Sequence, residues 1–394
     1  MRLFSLLLSL LLLSAVPAFP ATVLVLQFQN HSQYSDLNWV GESVAETLMN
    51  EYAAANQIVL DRSSRAEAMH RLSLRPGATF TKATLIRLGQ SLDADYLCYG
   101  TYDANLPDGS SELKDSSVQL SARFLDLRHM HDGPETSETG KLSELSRLEE
   151  HLAFVTLKYL EPKANLVLDQ FMAPNKLIRV DAEESYVRGL LSPSGDQQQK
   201  WFMQAAALDP NFSSPDFELG RLALQKKDYA QALAWFQHIH TTDPHYPEAR
   251  FKMGLSAYAA ADYTSAANFF REVLKTYPLN EVYNNLGAAE MQLNQPAALG
   301  DLHRAVDGDP NDATYLFNLG AALLKNGRFD EAAKELQSVL DRKPADSDAA
   351  TLLERAQNHD FSAAKPDIPN RLKLNLDATA FRQLKAMLQP KGSE

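Results

Sequence analysis

Five prolines mark a regular beat through the second half of this 394-residue chain. Pro210, Pro244, Pro278, Pro310 and Pro344 recur at intervals of 34, 34, 32 and 34. Ahead of the last four stand Leu219-Gly220, Met253-Gly254, Leu286-Gly287 and Leu319-Gly320. Between each glycine and the next proline lies Ala232, Ala266, Ala298 or Ala332, followed four residues later by Phe236, Phe270, Leu302 or Leu336. A proline ends a helix, whereas Gly and Ala clear the side chain from a helix crossing and the large residues fill the space beside it. A single helix pair cannot bury its apolar face, so such pairs stack into a superhelix with a concave side. The spacing predicts an all-α solenoid over 181–358, with about five pairs and a closing helix capped by Asp346. The first pair is irregular: Tyr186 and Gly189 come early, and Ser192-Pro193-Ser194-Gly195 makes a short turn before Trp201, Phe202 and Ala205. The fourth unit is two residues short, a change expected to alter the local curvature.

Period and motif together resemble the tetratricopeptide repeat (TPR) family. The resemblance implies a binding module, with a peptide lying along the face made by the first helix of each pair. Projected onto this sequence, that face carries Phe217, Arg221, Phe251, Leu255, Tyr258, Asn284, Asn285, Met291, Phe317, Asn318 and Leu324. Asn285 and Asn318 fall at equivalent places, and an Asn amide both donates to and accepts from a peptide backbone. The Lys and Asn set with which one branch of the family clamps a terminal carboxylate is absent. The implied ligand is therefore a hydrophobic or backbone-directed protein segment. For Phe217, Phe251 and Phe317 the other reading is inter-repeat core.

Residues 22–162 read as an α/β domain. Thr22 to Phe28 and Ile58-Val59-Leu60 are apolar strands; Val40, Val44, Leu48 and Tyr52 form one stripe of a helix. Asp61 to Ser64 caps a following helix, and Leu85, Leu88 and Leu92 mark another that leads into an apolar strand from Tyr96 to Tyr102. Val118, Leu120, Ala122 and Phe124 alternate with polar residues, as in a strand with one wet face, and Leu142 to Tyr159 is a long amphipathic helix. The runs Val25 to Ser32, Trp39 to Ser43, Leu92 to Leu97, Gly100 to Tyr102 and Leu120 to Leu127 resemble the amino-terminal domain of the TolB family over about 22–130. That resemblance implies a compact module that docks on an envelope protein. The family's β-propeller has no counterpart here.

The first residues carry an export address: Met1-Arg2, an apolar run from Leu3 to Leu13, and small residues around Val16 to Ala18. A signal peptide over 1–21, cut after Ala18 or Ala21, is expected, without a lipid-accepting Cys, and the mature chain is expected in the periplasm or secreted with no transmembrane segment. A net charge of −12 argues against a nucleic-acid partner. Neither a phosphate loop nor a nucleophile elbow nor a zinc-protease helix motif is present, so the chain is read as a non-enzyme that needs no cofactor or metal. His129 and His131 could share a metal on one strand face, yet Asp132-Gly133-Pro134 marks a solvated turn. Cys98, the only cysteine, sits in an apolar strand as a small hydrophobe. The remaining spans are a linker over 163–180 and a tail over 359–394. In the tail, Asp377 caps a short amphipathic helix bearing Phe381, Leu384 and Leu388, which folds into the groove, onto the α/β domain, or onto a partner. The expected function is a periplasmic or secreted adaptor for protein clients in envelope assembly, secretion or surveillance. Two alternatives stand beside it: an enzyme or small-ligand binder with its site in the α/β domain, and a self-associating structural protein.

Overall fold

The computed structural model describes residues 21–388 apart from 76, 108–112, 163, 174–176, 242 and 361–369. The expected export signal thus lies outside the described residues except for Ala21, as does most of the expected link between solenoid and tail.

The chain opens with β1 (Thr22–Val25), β2 (Gln29–Asn30), α1 (Val40–Ala54), β3 (Ile58–Leu60), α2 (Arg62–Arg71), α3 (Lys82–Gln90), β4 (Tyr96–Asn105), β5 (Ser117–Asp126), β6 (His131–Lys141) and α4 (Leu145–Leu160). The strands form one mixed sheet in the order β3-β1-β4-β5-β6, with β2 pairing β4. β1 runs parallel to both β3 and β4, while β4-β5 and β5-β6 are antiparallel. Helices cover both faces of the parallel half, so successive residues of β1 are buried on opposite sides. Val23 and Val25 pack with α1 and α4 residues such as Val44, Tyr52, Leu152 and Leu157. Leu24 and Leu26 pack with Ala68, Leu85 and Leu88 of α2 and α3. Gly41 lets α1 start against the sheet, since a Cβ there would lie 2.0 Å from the Phe28 carbonyl oxygen. Asp61 caps α2 by accepting from the Ser64 amide, in keeping with the sequence.

The polar run after Asp132 is a strand rather than only a turn. β6 pairs β5 alone and is exposed along most of its length, so no apolar alternation announces it. Gly133 and Pro134 fall at a register shift between Arg123 and Leu125, where a proline costs no ladder hydrogen bond. The expected linker over 163–180 is also more ordered than its composition suggests: it holds α5 (Leu168–Met172), whose Phe171 ring lies 5.5 Å from that of Phe154 in α4.

The solenoid follows as α6 (Val180–Leu191), α7 (Gly195–Leu208), α8 (Ser213–Gln225), α9 (Tyr229–Phe236), α10 (Tyr246–Ala259), α11 (Tyr263–Leu274), α12 (Asn280–Gln292), α13 (Ala297–Gly308), α14 (Ala313–Lys325), α15 (Phe329–Arg342) and α16 (Ser347–Gln357). These are five antiparallel pairs and a closing helix. A Cβ at Gly220, Gly254, Gly287 or Gly320 would lie 2.5–2.7 Å from Phe236, Phe270, Leu302 or Leu336 of its own pair. The first pair repeats the contact through Gly189 and Phe202, at 2.5 Å, so its irregular turn leaves the crossing intact. The Asp before several of the prolines has its own task. Asp209, Asp243 and Asp309 accept from the amides of Asn211, His245 and Asn311 at 2.8–3.0 Å, fixing the corner into the next pair. Val187 of α6 joins the core under α1 and α4, so the first repeat is docked on the α/β domain. The described part of the tail closes with α17 (Ala378–Leu388), capped by Asp377 through the Thr379 and Ala380 amides.

Candidate functional site

The inner face of the solenoid holds the chain's own residues 370–377. Two residues ahead of the crossing glycine in successive pairs stand Lys252, Asn285 and Asn318, and the helical repeat points all three into the groove. Asn318 grips Arg371 by both backbone groups: its Oδ1 accepts from the Arg371 amide at 2.9 Å, and its Nδ2 donates to the Arg371 carbonyl at 2.6 Å. Asn285 treats Lys373 the same way, at 2.9 and 2.8 Å. Residues i and i+2 present their N–H and C=O groups to one side, as a strand edge does. Asn284 ties the row together. It donates to the Arg371 carbonyl and to Asn285 Oδ1, each at 3.0 Å, and accepts from Asn318 Nδ2 at 2.8 Å. Lys252 continues the row with an ammonium in place of an amide, donating to the Leu374 carbonyl at 3.0 Å and to Asn375 Oδ1 at 2.7 Å. Burial lowers its pKa, opposed by the Glu248 carboxylate. The Asp377 amide donates to Glu281 at 2.5 Å.

Side chains of the segment are seated as well. The Arg371 guanidinium lies 3.4 Å above the Phe317 ring and makes two hydrogen bonds, at 2.6 and 2.7 Å, with Asp346. The Lys373 ammonium sits 4.9 Å from the Tyr315 ring and donates to Asp312. The Arg371 hydrogen bond holds the Asp346 carboxyl below its ordinary range; Asp312, raised by burial, is brought below its own by Lys373 and the helix amides. Leu372, Leu376, Phe381 and Leu384 pack on the apolar cluster of α10–α12, and Phe381 lies 4.6 Å from Tyr277.

Of the residues projected onto the concave face, Asn284, Asn285, Phe317 and Asn318 hold the segment, and the Tyr258 hydroxyl accepts from Asn370 at 3.1 Å. Phe251 and Leu255 belong to the apolar cluster on which Leu372 and Leu376 rest, and the others lie elsewhere. Phe251 packs against Phe270 at 5.7 Å, with Leu255 in the same cluster, and Phe217 packs on Phe236 at 5.7 Å and His245 at 4.7 Å. Met291 and Leu324 sit inside the cluster of α13–α16, although Tyr258, at the equivalent place four residues beyond Gly254, is long enough for its hydroxyl to reach Asn370. Arg221 pairs with Glu218 of its own helix at 2.6 Å. Lys252, Asp312 and Asp346 are groove residues that the sequence projection misses. Lys252 carries a signal, since it shares the register of Asn285 and Asn318, and Asp312 and Asp346 stand 34 residues apart.

Other chemistry-bearing groups are accounted for locally. Asp126, His129 and His131 place three donor atoms within 4.8 Å of one another, but Asp126 already accepts from the Arg128 and His129 amides in the β5-β6 turn. Burial pushes the Cys98 thiol up to about 12, where it is no nucleophile. A cleft of about 450 Å³ between the α/β domain and α6 is lined by Leu37, Trp39, Leu142, Ile178 and Arg179. There the buried Trp39 Nε1 donates to no acceptor among the described residues.

Comparison with known proteins bears on the helical half. A tetratricopeptide repeat model matches residues 204–290 and 296–356. No curated protein matches the chain. Among solved structures, YrrB, described as a TPR protein with an unusual peptide-binding site, is 22 % identical over 48 % of this chain and 93 % of its own, with a TM-score of 0.36. MamA from Desulfovibrio magneticus RS-1 is 21 % identical over 42 % of this chain and 96 % of its own, with a TM-score of 0.39. A thermophilic TPR protein of Thermus thermophilus, TTC0263, is 16 % identical over 45 % of this chain and 99 % of its own, with a TM-score of 0.34. The helical half is a tetratricopeptide solenoid, a class of protein-binding scaffold.

Proposed function

We propose that this chain is a non-enzymatic adaptor whose solenoid holds a strand-like segment of a protein client by its backbone, and whose own tail acts as a stand-in for that client. One observation carries the reading: Asn318 and Asn285 each close a reciprocal pair of hydrogen bonds on alternate residues of the occupying segment. Contacts of this kind recognise an exposed strand of many sequences, and side-chain seats then select among them. A tethered segment acts at an effective concentration on the order of mM, so a client must outcompete the tail, and release of the tail strengthens capture. The export address at residues 1–21 and the TolB-like pattern of residues 22–130 support a periplasmic or secreted setting, with the α/β domain on an envelope component. An affinity capture from native envelope extract tests this, comparing the wild-type chain, the Asn285→Ala/Asn318→Ala variant and a chain ending at residue 360. The chain without its tail recovers more client and the double variant less. Equal recovery by all three removes the groove from the function.

The cleft beside Trp39 favours a second reading, a small-ligand site at the domain seam, on the strength of the buried Trp39 Nε1, unpaired among the described residues. Native mass spectrometry of the purified chain separates the two: a bound small molecule lost on Trp39→Phe supports the second.

A further inference from the structure

We propose that the groove reads a pair of cations: it selects segments in which an Arg and a Lys stand two residues apart, in that order, with an apolar residue between them. This rests on the peptide-holding role above and names the class of sequence held. Two helix N-caps supply the specificity. Asp312 caps α14, its Oδ1 accepting from the Thr314 amide at 2.8 Å and the Tyr315 amide at 3.3 Å, while its Oδ2 takes the Lys373 ammonium. Asp346 caps α16, its Oδ1 accepting from the Ala349 amide at 3.1 Å, and both of its oxygens meet the Arg371 guanidinium. A second carboxylate, Asp348, stands 3.6 Å from the same guanidinium.

The two seats differ in the cation they suit. The Arg371 seat is a flat ring, Phe317, beneath a fork of two carboxylate oxygens, which matches a planar guanidinium and not a tetrahedral ammonium. The Lys373 seat offers one oxygen and the face of Tyr315, enough for a point charge. Both ion pairs are screened from water: side-chain exposures are 24 % and 10 % for Arg371 and Asp346, and 30 % and 18 % for Lys373 and Asp312. Partly buried pairs of this kind discriminate more strongly than exposed ones, because a mismatched ligand leaves a desolvated carboxylate without a partner. Each cation also faces the positive end of a helix, so it is welcome there only while the capping carboxylate is charged. Leu372, between the two cations in sequence, packs on the apolar cluster of α10–α12, whereas Leu374 is 66 % exposed and leaves its position free to vary.

The test uses the full chain with Arg371→Glu and Lys373→Glu, which vacates both seats, and a fluorescent synthetic peptide copying residues 370–388. If that chain melts early, Arg371→Gln/Lys373→Gln replaces it. The parent peptide is expected to bind, and a peptide carrying Gln at both cation positions to bind at least tenfold more weakly. Adding Asp312→Asn and Asp346→Asn to the chain, which keeps both caps, produces the same loss with the parent peptide. Exchanging Arg and Lys within the peptide weakens binding as well. Equal affinity for the Gln and parent peptides overturns the cation reading and leaves backbone capture standing. Failure of every peptide to bind the vacated groove overturns both.

Discussion

Ser43 and Glu183, separated by 140 positions, are joined by a buried hydrogen bond of 2.5 Å in which the α1 hydroxyl donates to the α6 carboxyl. Glu149 of α4 completes the seam, accepting from Thr47 at 2.6 Å. Burial raises the pKa of both carboxyls, and the neighbouring carboxylate raises Glu149 further. Glu149 Oε1 and Glu183 Oε2 have no donor among the described residues, and one proton shared between the two groups resolves that. Elsewhere on α1, Glu46 is pushed up to about 7, chiefly by burial and against the pull of Arg62.

A pH dependence of domain docking follows. These are acids raised in the folded state, so their stabilising contribution is complete below the ordinary carboxyl value of 4.5 and is lost as pH rises through the raised values. The melting temperature of the wild-type chain is expected to fall from pH 5 to pH 8, by an amount corresponding to about 1–3 kcal/mol. Glu183→Gln, neutral throughout, flattens much of that slope. Parallel profiles for the two chains rule out the shared proton.

The groove asparagines hold the tail, so their removal frees it. Asn285→Ala/Asn318→Ala deletes both reciprocal pairs and strands the Arg371 amide and both backbone groups of Lys373, leaving the Arg371 carbonyl to Asn284, at a cost of about 2–4 kcal/mol. Hydrogen exchange at the amides of Arg371 and Lys373 is the direct readout and rises by at least tenfold. Unchanged protection means that the apolar contacts of α17 suffice.

Acid releases the same segment by another route. Asp346 and Asp312 are lowered in the folded chain, so their contribution is present above the ordinary value of 3.8 and disappears as pH falls through the lower folded values. Exchange protection of the tail is expected to persist at pH 5 and to be lost below about pH 4, earlier than that of α14 and α16. In the Asp312→Asn/Asp346→Asn chain, acid adds no further loss over that range.

The glycines divide into two kinds. A Cβ on Gly254 would stand 2.5 Å from Phe270, whereas one on Gly300 meets nothing within 4 Å. Gly254→Ala is expected to cost about 1–3 kcal/mol by forcing the helix crossing apart. Gly300→Ala, at the exposed end of the first turn of α13, gains up to about 1 kcal/mol of helix propensity. Denaturant midpoints measure both, and equal shifts contradict the crossing argument.

The solenoid is legible in the sequence because proline and glycine act through the backbone, at the residue where they stand. Gly220, Gly254, Gly287 and Gly320 meet their large partners in the way the period implies. Asn285 and Asn318 are visible because equivalent places carry the same side chain. Lys252 does the same work with a different group, and its role becomes clear only from the Leu374 carbonyl it holds. Asp312 and Asp346 can be read as helix caps from sequence, but the cation on the far oxygen depends on where residues 371 and 373 are laid down, a contact spanning 61 and 25 positions. Met291 and Leu324 pack between helix pairs, whereas Tyr258 at the equivalent place carries a hydroxyl that reaches the tail, so the register alone does not separate the two cases. β6 escapes notice because an edge strand wet on most of its length has no apolar rhythm to betray it.

The tail does not stop at the groove. From α17, Arg382 donates to the Val59 carbonyl at 3.4 Å, on β3, one of the two edge strands of the sheet. One continuous stretch of polypeptide therefore plugs the solenoid and covers part of the sheet's rim. A client that evicts residues 370–377 leaves α17 held by its own contacts, the Arg382–Val59 bond among them, and groove and rim are coupled by the free energy those contacts carry. The groove and the sheet's edge are thus linked through one helix, α17.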